Sequence, residues 1–195
     1  MVEVIAEVGS VHDGSFGNAC KLIELAKEVG ADTVKFQMHL SEYETTKDAP
    51  SPSYFNTENR FDYFKRTSFS IEQWKQLIKI SNNLNLNFCC SPFSLEALEK
   101  LNEIDVTRIK IASGEITNIP LIEKASYLSK ILYISSGMSS WREIDHAIKI
   151  AKKGTSKIIL LQCTSEYPCP PKNVGLNVIL VDSMLNEIIK NLSAK

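Results

Sequence analysis

The sequence RIKIASGEITNIPLIEKASYLSKILYISSGM, residues 108–138, decides the fold class of this 195-residue chain. It begins with a β-rich run, Arg108–Ala112, and continues with a helical pattern over Pro120–Leu128. A second β-rich run, Ile131–Ser135, follows after a short connection. A strand, a helix and a second strand in close succession predict a βαβ unit, in which the two strands are parallel.

The same alternation of strand and helix continues on both sides of this unit. Further β-rich runs are Val2–Val8, Thr33–Gln37, Leu86–Cys90 and Lys157–Cys163. Further helical patterns are Phe16–Val29, Ile71–Asn83, Leu95–Leu101, Arg142–Lys152 and Leu176–Leu192. Ser70 and Gln73 have the spacing of a capping box at the start of one of these helices. The pattern predicts an α/β fold, namely a parallel (β/α) barrel of the TIM type that is incomplete, with about six of the eight βα units, in one domain over residues 1–195.

One segment, from His39 to Ser70, departs from this alternation. It shows no clear period, and it contains prolines at positions 50 and 52 and several aromatic residues. A loop of this length in a compact domain is usually functional or disordered. Because the segment follows the second strand, we expect a lid over the catalytic face. The alternative is a partly helical surface excursion that buries its own aromatic side chains.

Polar or charged residues stand at five of the six predicted strand ends. They are Glu7, Lys35, Ser91, Lys110 with Ser113, and Ser135 with Ser136. In a parallel barrel, the carboxyl ends of the strands form the floor of the active site. These side chains are therefore predicted to line one pocket.

The two lysines of this set indicate an anionic ligand. Lys35 and Lys110 both have apolar neighbours in the sequence, and an unpaired lysine buried there would be costly. A ligand anion or a protein carboxylate must therefore compensate their charge. The alternative is that each lysine is a barrel-end residue paired with a structural acid. Serine hydroxyls can also bind an anion, although serine after a strand is common in turns and helix caps.

Composition excludes several classes of function. The chain is 44% hydrophobic and 23% charged, and its formal net charge of −1 gives no reason to expect a nucleic acid partner. We expect no membrane segment and no signal peptide, and hence a cytoplasmic protein. The five cysteines form no CxxC pair, so we expect reduced thiols of no special role. His12, His39 and His146 have no neighbours in the sequence that suggest a metal site.

Six motifs, in order along the chain, resemble the N-acetylneuraminate (sialic acid) synthase family. They are AEVGSVHDG at 6–14, GADTVKFQ at 30–37, SPF at 91–93, KIASGEITNIPLIEK at 110–124, SSGM at 135–138 and LLQCTSEYPCP at 160–170. The resemblance implies a carbon–carbon bond-forming transferase that condenses phosphoenolpyruvate with an N-acetylated amino sugar, such as N-acetylmannosamine. The products are a nonulosonic acid and phosphate. It also implies a (β/α)8 barrel followed by a small antifreeze-like domain.

The resemblance also implies roles for the site residues. Lys35 and Lys110 bind the anionic groups, and Ser91, Ser113 and Ser135 match positions that contact phosphoenolpyruvate. Ser165 matches a position near the phosphate, and Tyr167 a tyrosine that lies against the amino sugar. Glu7 and Glu115 match carboxylates that bind the sugar or transfer protons. The alternative for each glutamate is that it only neutralises Lys35 or Lys110.

Two departures from the family pattern limit what carries over. Val11 stands where the family usually has an asparagine. The family needs a divalent metal, manganese or magnesium, whose two histidine ligands follow strands six and seven. Because the sequence ends at Lys195, we expect that the metal ligands, the last two strands and the antifreeze-like domain, which completes the partner's site in a homodimer, are missing.

We therefore expect this chain to be inactive alone, as the N-terminal part of such a synthase. A non-catalytic remnant or an anion-binding subunit is one alternative. Another phosphoenolpyruvate-condensing synthase, or a Schiff-base aldolase that uses Lys35 or Lys110, is a second.

Overall fold

A computed structural model of the protein describes residues 2–50, 58–166 and 168–179. In these ranges, six strands form one parallel sheet whose spatial order is the order of the sequence, β1-β2-β3-β4-β5-β6. The strands are β1 (Ile5–Gly9), β2 (Thr33–Met38), β3 (Asn87–Pro92), β4 (Arg108–Ile111), β5 (Ile131–Ser135) and β6 (Lys157–Leu161). The fold is therefore an incomplete parallel (β/α) barrel, as the sequence predicts.

The helices also follow the predicted order. They are α1 (Phe16–Glu28), α2 (Ser41–Glu44), α3 (Arg60–Thr67), α4 (Ile71–Asn83), α5 (Leu95–Glu103), α6 (Ile119–Leu128) and α7 (Trp141–Ala151). Ser70 and Gln73 form the predicted capping box at the start of α4, and Ser140 and Glu143 form another at α7. Most of the predicted helix Leu176–Leu192 lies outside the described residues. Within them, no helix is both long and apolar enough to cross a membrane.

Two strand boundaries differ from the prediction in ways that matter for the site. Strand β3 continues to Pro92, so Ser91 lies within the strand instead of following it. Strand β6 ends at Leu161, two residues before the predicted end, which places Cys163 in the loop after β6. Both shifts move residues relative to the carboxyl edge of the sheet, where the site lies.

The outward face of the sheet packs against the helices and forms the hydrophobic core. Val34, Phe36 and Met38 alternate along β2 and are buried in this core. Because side chains alternate along a strand, Lys35 and Gln37 point to the opposite, inward face. The inward face carries polar residues, and the site is built on it.

A hydrogen-bonded network at the amino-terminal end of the strands ties the inward face together. The Glu3 carboxylate accepts hydrogen bonds from Thr33 Oγ1 (2.6 Å), Arg108 Nη1 (3.1 Å) and the Tyr133 hydroxyl (2.9 Å). Arg108 also donates to the Tyr133 hydroxyl, at 3.0 Å. Since β4 and β5 are not neighbours of β1 in the sheet, these bonds cross the interior and hold the sheet in its curved form.

The segment that follows β2 is partly helical in its described residues. Phe61 and Phe64 of α3 are buried, which is the arrangement that the partly helical alternative predicts. The His39 ring lies between the rings of Phe64 and Phe93, at centroid distances of 3.7 and 4.1 Å. Glu44 also contacts His39 Nδ1, so this segment is anchored beside the end of β3.

We predict that Glu3→Ala lowers the free energy of unfolding by about 1–3 kcal/mol, because it leaves the Arg108 guanidinium without its carboxylate partner. Urea denaturation followed by circular dichroism measures the change. The control is Glu28→Ala at the exposed end of α1, which is expected to change stability by less than about 0.5 kcal/mol. Equal effects of the two substitutions would show that the network does not stabilise the sheet.

Candidate active site

The register of the parallel strands places two predicted site residues and a cysteine side by side. Glu7 on β1 is opposite Lys35 on β2, and Lys35 is opposite Cys89 on β3. Lys35 is 4% exposed, and its ammonium forms an ion pair with the Glu7 carboxylate. A bulge between Glu7 and Gly9 interrupts the β1–β2 register, and Gly9 has a positive φ of 52°. Bulges of this kind often redirect a side chain next to an active site.

Lys110, on β4, is the second cation of the site. Burial lowers its pKa below the ordinary lysine value, and the positive charge of Lys35 lowers it further. Among the residues that the structure describes, no carboxylate lies within ion-pair distance of Lys110. The Glu7 carboxylate is engaged by Lys35, so one positive charge of the site has no protein counter-ion in the described ranges.

Cys89 lies between these two cations without compensating their charge. Burial raises the pKa of its thiol to about 12, although Lys35 and Lys110 both act in the opposite direction. The thiol is therefore neutral at physiological pH. The site keeps its net positive charge, and an anion from solution is the natural partner for it.

Ser91 and Ser135 are buried without hydrogen-bond partners. Their exposed fractions are 1% and 0%, and neither Oγ has a partner within the described part of the chain. Buried hydroxyls are almost always hydrogen-bonded, because leaving one unpaired costs about 1–3 kcal/mol. Both serines lie at carboxyl ends of strands that flank β4, which carries Lys110. Their hydroxyls are thus available to a bound ligand.

Ser113 and Ser165 converge on Gly137, although they come from different loops. A Cβ atom on Gly137 would stand 2.7 Å from the Oγ atoms of both serines and 3.3 Å from Cys163 Cβ. Only glycine, which has no Cβ, allows these side chains to approach the backbone so closely. The loops after β4, β5 and β6 therefore meet at one place, as the polar strand ends predict.

The remaining predicted residues have different positions. Glu115 ends the 3-10 helix Ser113–Glu115, and its Oε2 accepts a hydrogen bond from Asn118 Nδ2 at 2.8 Å. It therefore does not neutralise a lysine in the described structure, whereas Glu7 does pair with Lys35. Ser165 is exposed. Tyr167 lies outside the described residues.

Gln37 belongs to the same inward face, and the sequence prediction missed it. Its Oε1 accepts a hydrogen bond from Ser10 Oγ at 3.1 Å and lies 3.5 Å from the position of a Cβ on Gly9. The sequence spacing indicates Gln37, because it follows Lys35 by two residues and side chains two apart in a strand share a face. The amide adds a neutral donor and acceptor near Glu7.

The divalent metal implied by the family resemblance does not fit the residues in hand. Residues 2–50, 58–166 and 168–179 hold no group of three or more His, Cys, Asp or Glu side chains placed to bind an ion. His12 and His39 are engaged within the fold, since His12 Nδ1 accepts from the Gly14 amide and His39 contacts Glu44.

Comparisons with known proteins find a matching family and related proteins. The model of the NeuB family matches residues 22–187. N,N'-diacetyllegionaminic acid synthase of Campylobacter jejuni is 36% identical over 184 residues, which are 90% of this chain and 55% of that protein. Human N-acetylneuraminate-9-phosphate synthase is 34% identical over 180 residues, 90% of this chain and 50% of that protein. The chain spans about half the length of these curated relatives.

A solved structure supports the same assignment. The N-acetylneuraminic acid synthetase of Leptospira borgpetersenii, crystallised in complex with citrate, superimposes with a TM-score of 0.80 at 33% identity. The match covers 92% of this chain and 60% of that one. The fold of this chain thus corresponds to part of that synthetase.

The unpartnered hydroxyls give a test of the site in the absence of ligand. We predict that Ser135→Ala raises the free energy of unfolding by about 1 kcal/mol, because it removes a buried hydroxyl that has no partner. Ser129→Ala is the matched control, since the Ser129 hydroxyl is buried but donates to the Ala125 carbonyl at 2.8 Å. The control is expected to lose about 1 kcal/mol in urea denaturation. A similar loss in Ser135→Ala would show that its hydroxyl is satisfied within the protein.

Proposed function

The chain belongs to the NeuB family, and on that premise we propose that it carries the phosphoenolpyruvate-binding part of the active site of a nonulosonic acid synthase. The reaction joins C3 of phosphoenolpyruvate to the aldehyde carbon of an N-acetylated amino sugar. Water adds at C2, and breakdown of the resulting tetrahedral intermediate releases phosphate. The relatives include an N,N'-diacetyllegionaminic acid synthase and an N-acetylneuraminate-9-phosphate synthase, so the amino sugar is proposed only as a class.

The observation that carries this proposal is the uncompensated charge of Lys110 beside two unpartnered buried hydroxyls. Phosphoenolpyruvate has a phosphate and a carboxylate, and both need cations and hydrogen-bond donors in a site that excludes water. Lys110 and Lys35 supply the charge, and Ser91 and Ser135 supply donors on either side of Lys110. An anionic ligand would pair with Lys110 and accept hydrogen bonds from the two hydroxyls.

The cluster around Gly137 suits an anionic oxygen. Ser113 Oγ and Ser165 Oγ both lie close to the Gly137 backbone, each 2.7 Å from the position of a Cβ on this residue. Both hydroxyls could donate to a phosphate that lies in van der Waals contact with Gly137, where the missing side chain would allow a close approach. We assign the phosphate to this end of the site and the carboxylate to the Lys35 end.

The carboxylates and Tyr167 are assigned to the amino sugar. Glu7 is paired with Lys35 yet its side chain is 52% exposed, so it also faces the space above the sheet. Glu115 is half-buried and hydrogen-bonded to Asn118, which orients it. Carboxylates in these places can bind sugar hydroxyls or transfer the protons of the condensation.

The same proposal includes what the family resemblance implies for the whole protein. A divalent metal would polarise the sugar aldehyde as a Lewis acid, a homodimer would complete the site, and the location would be cytoplasmic. The chain covers about half of its relatives, so we propose ligand binding for these residues and turnover only for a protein with the remaining barrel strands. An anion-binding subunit without turnover would show the same ligand binding and no phosphate release in any assembly.

Lys110→Met tests the anion site directly. We predict that it weakens phosphoenolpyruvate binding, measured by isothermal titration calorimetry, by roughly 30-fold or more, because the half-buried cation that has no carboxylate partner in the described ranges is lost. The control is Lys75→Met, which removes an exposed lysine paired with Glu72 on α4 and leaves binding unchanged. Unaltered affinity in Lys110→Met would refute the assignment.

The pH dependence of anion binding is an independent test of the role of Lys110. Sulfate is a suitable probe, because it does not titrate in the relevant range. The anion binds protonated Lys110, so affinity falls as pH rises through the pKa of this lysine. Because burial and Lys35 lower that pKa, the fall begins at a lower pH than it would for an ordinary lysine. In Lys110→Met this component of the pH profile disappears.

The lowered pKa of Lys110 also favours a second candidate, a Schiff-base aldolase. A lysine beside another cation loses its proton more easily and becomes nucleophilic. Borohydride reduction in the presence of pyruvate, followed by peptide mass spectrometry, distinguishes the two. The synthase proposal predicts no adduct, and a 1-carboxyethyl group on Nζ of Lys110 or Lys35, the product of reducing the imine, would establish the aldolase.

A further inference from the structure

We propose that Arg66, on α3, is a positioning residue of the candidate active site. It clamps the loop after β1, residues 10–14, onto the end of α3, and this loop in turn holds the side-chain amide of Gln37 on β2. The inference rests on the proposed function, because it concerns the orientation of a side chain beside Lys35. The group held for the ligand is a neutral hydrogen-bond donor.

The Arg66 guanidinium joins two parts of the chain that are far apart in the sequence. Its Nη1 and Nη2 atoms donate to the carbonyl oxygen and to Oδ1 of Asp13, at 3.2 and 2.9 Å. Its Nε and Nη2 atoms donate to the Glu58 carboxylate, at 3.3 and 2.6 Å. A planar guanidinium makes such paired bonds in a fixed geometry, which a lysine ammonium does not. Arg66 therefore fixes the loop after β1 relative to α3 in both distance and angle.

The backbone of this loop also fits closely against α3. A Cβ atom on Gly14 would stand 2.9 Å from the Arg66 carbonyl oxygen and 3.3 Å from Thr67 Cα. Gly14 has a φ of 80°, and Asp13 before it has a φ of 50°, which residues with a side chain seldom adopt. The bonds from Arg66 to Asp13 thus hold a backbone conformation that the chain adopts only when its surroundings impose it.

Hydrogen bonds within the loop carry this constraint toward the site. The Gly14 amide donates to His12 Nδ1 at 3.1 Å, and the Asp13 amide donates to the Ser10 carbonyl at 3.0 Å. The His12 ring is buried and lies 4.5 Å from the ring of Phe69. Because the loop is tied together in this way, a shift at Asp13 also moves Ser10.

Ser10 is the residue through which the loop acts on the site. Its Oγ donates to Gln37 Oε1 at 3.1 Å. Within the described part of the chain, the amide nitrogen of Gln37 has no hydrogen-bond partner. The bond from Ser10 fixes the plane of the amide, so this nitrogen keeps one direction and can donate to a ligand bound beside Lys35.

The exposure of the clamp favours a positioning role over a stabilising one. The side chains of Arg66 and Asp13 are 46% and 65% exposed. Ion pairs with this degree of exposure contribute little to the free energy of folding. Paired bonds to a guanidinium still fix geometry, and geometry is what the contact between Ser10 and Gln37 requires.

Nuclear magnetic resonance of the full chain, without ligand, tests this path. Gln37→Met identifies the side-chain amide signal of Gln37 in a proton–nitrogen correlation spectrum, because it removes that signal. Ser10→Ala then gives the shift of the signal when the Ser10 hydroxyl is absent. We expect Arg66→Gln to move the signal in the same direction, by about half as much or more, and to add nothing to the shift when combined with Ser10→Ala, since both substitutions act through one contact.

Two further variants separate positioning from a general effect on the fold. Lys65→Gln removes an exposed lysine of the same helix, paired with Glu42, and is expected to leave the Gln37 signal in place. Arg66→Lys keeps the charge without the paired bonds and is expected to give an intermediate shift. A Gln37 signal that stays in place in Arg66→Gln would overturn the proposal, whatever the change in stability. Shifts that add up in the double variant would also contradict it.

The outcome is distinguishable from failure of the proposed function, because it is measured without an anion. If phosphoenolpyruvate failed to bind while Arg66→Gln moved the Gln37 signal, the proposed function would be overturned and the link from Arg66 to Gln37 would stand. If phosphoenolpyruvate bound and the signal stayed in place, only the role of Arg66 would be overturned.

Discussion

Among the described residues, the inward face of this sheet carries two lysines near a carboxylate that pairs with only one of them, and the rest of the site depends on that imbalance. The Glu7 carboxylate pairs with Lys35, so Lys110 is left to burial and to repulsion by its neighbour. Cys89 separates the cations as a neutral thiol. A site arranged in this way is stable only because the surrounding barrel holds the charges in place, and it gains free energy when an anion enters.

Two uncharged side chains of the site also reduce the stability of the free protein, in a way that a bound ligand would compensate. Ser91 and Ser135 each bury a hydroxyl that the described protein atoms do not satisfy, whereas Ser129 and Ser81 on nearby helices hydrogen-bond to carbonyl groups. Unsatisfied groups are rare in folded proteins and deserve a physical explanation. Their position on both sides of β4, the strand of Lys110, gives one, because a ligand bound to the lysine would reach both hydroxyls.

The strand and helix alternation was predictable from the sequence, because each element carries its own hydrophobic period and caps such as Ser70 with Gln73. The polar strand ends were also predictable, since parallel topology brings carboxyl ends together. The pairing of Glu7 with Lys35 was left open, because it depends on the strand register. Gln37 was missed although its spacing from Lys35 indicated it. The contact between Glu3 and Tyr133 joins residues 130 positions apart, and no local pattern encodes it.

The strictly sequential strand order has a consequence for the way this chain folds. Each strand pairs with the strand before it, so the sheet can grow from one end through contacts of modest sequence separation. The bonds from Glu3 to Arg108 and Tyr133 close the longest loops, and loop closure of that length is favourable only after the intervening strands have paired. Curling of the sheet is therefore a late folding event, and the carboxylate acts on the lifetime of the native state more than on the speed of reaching it.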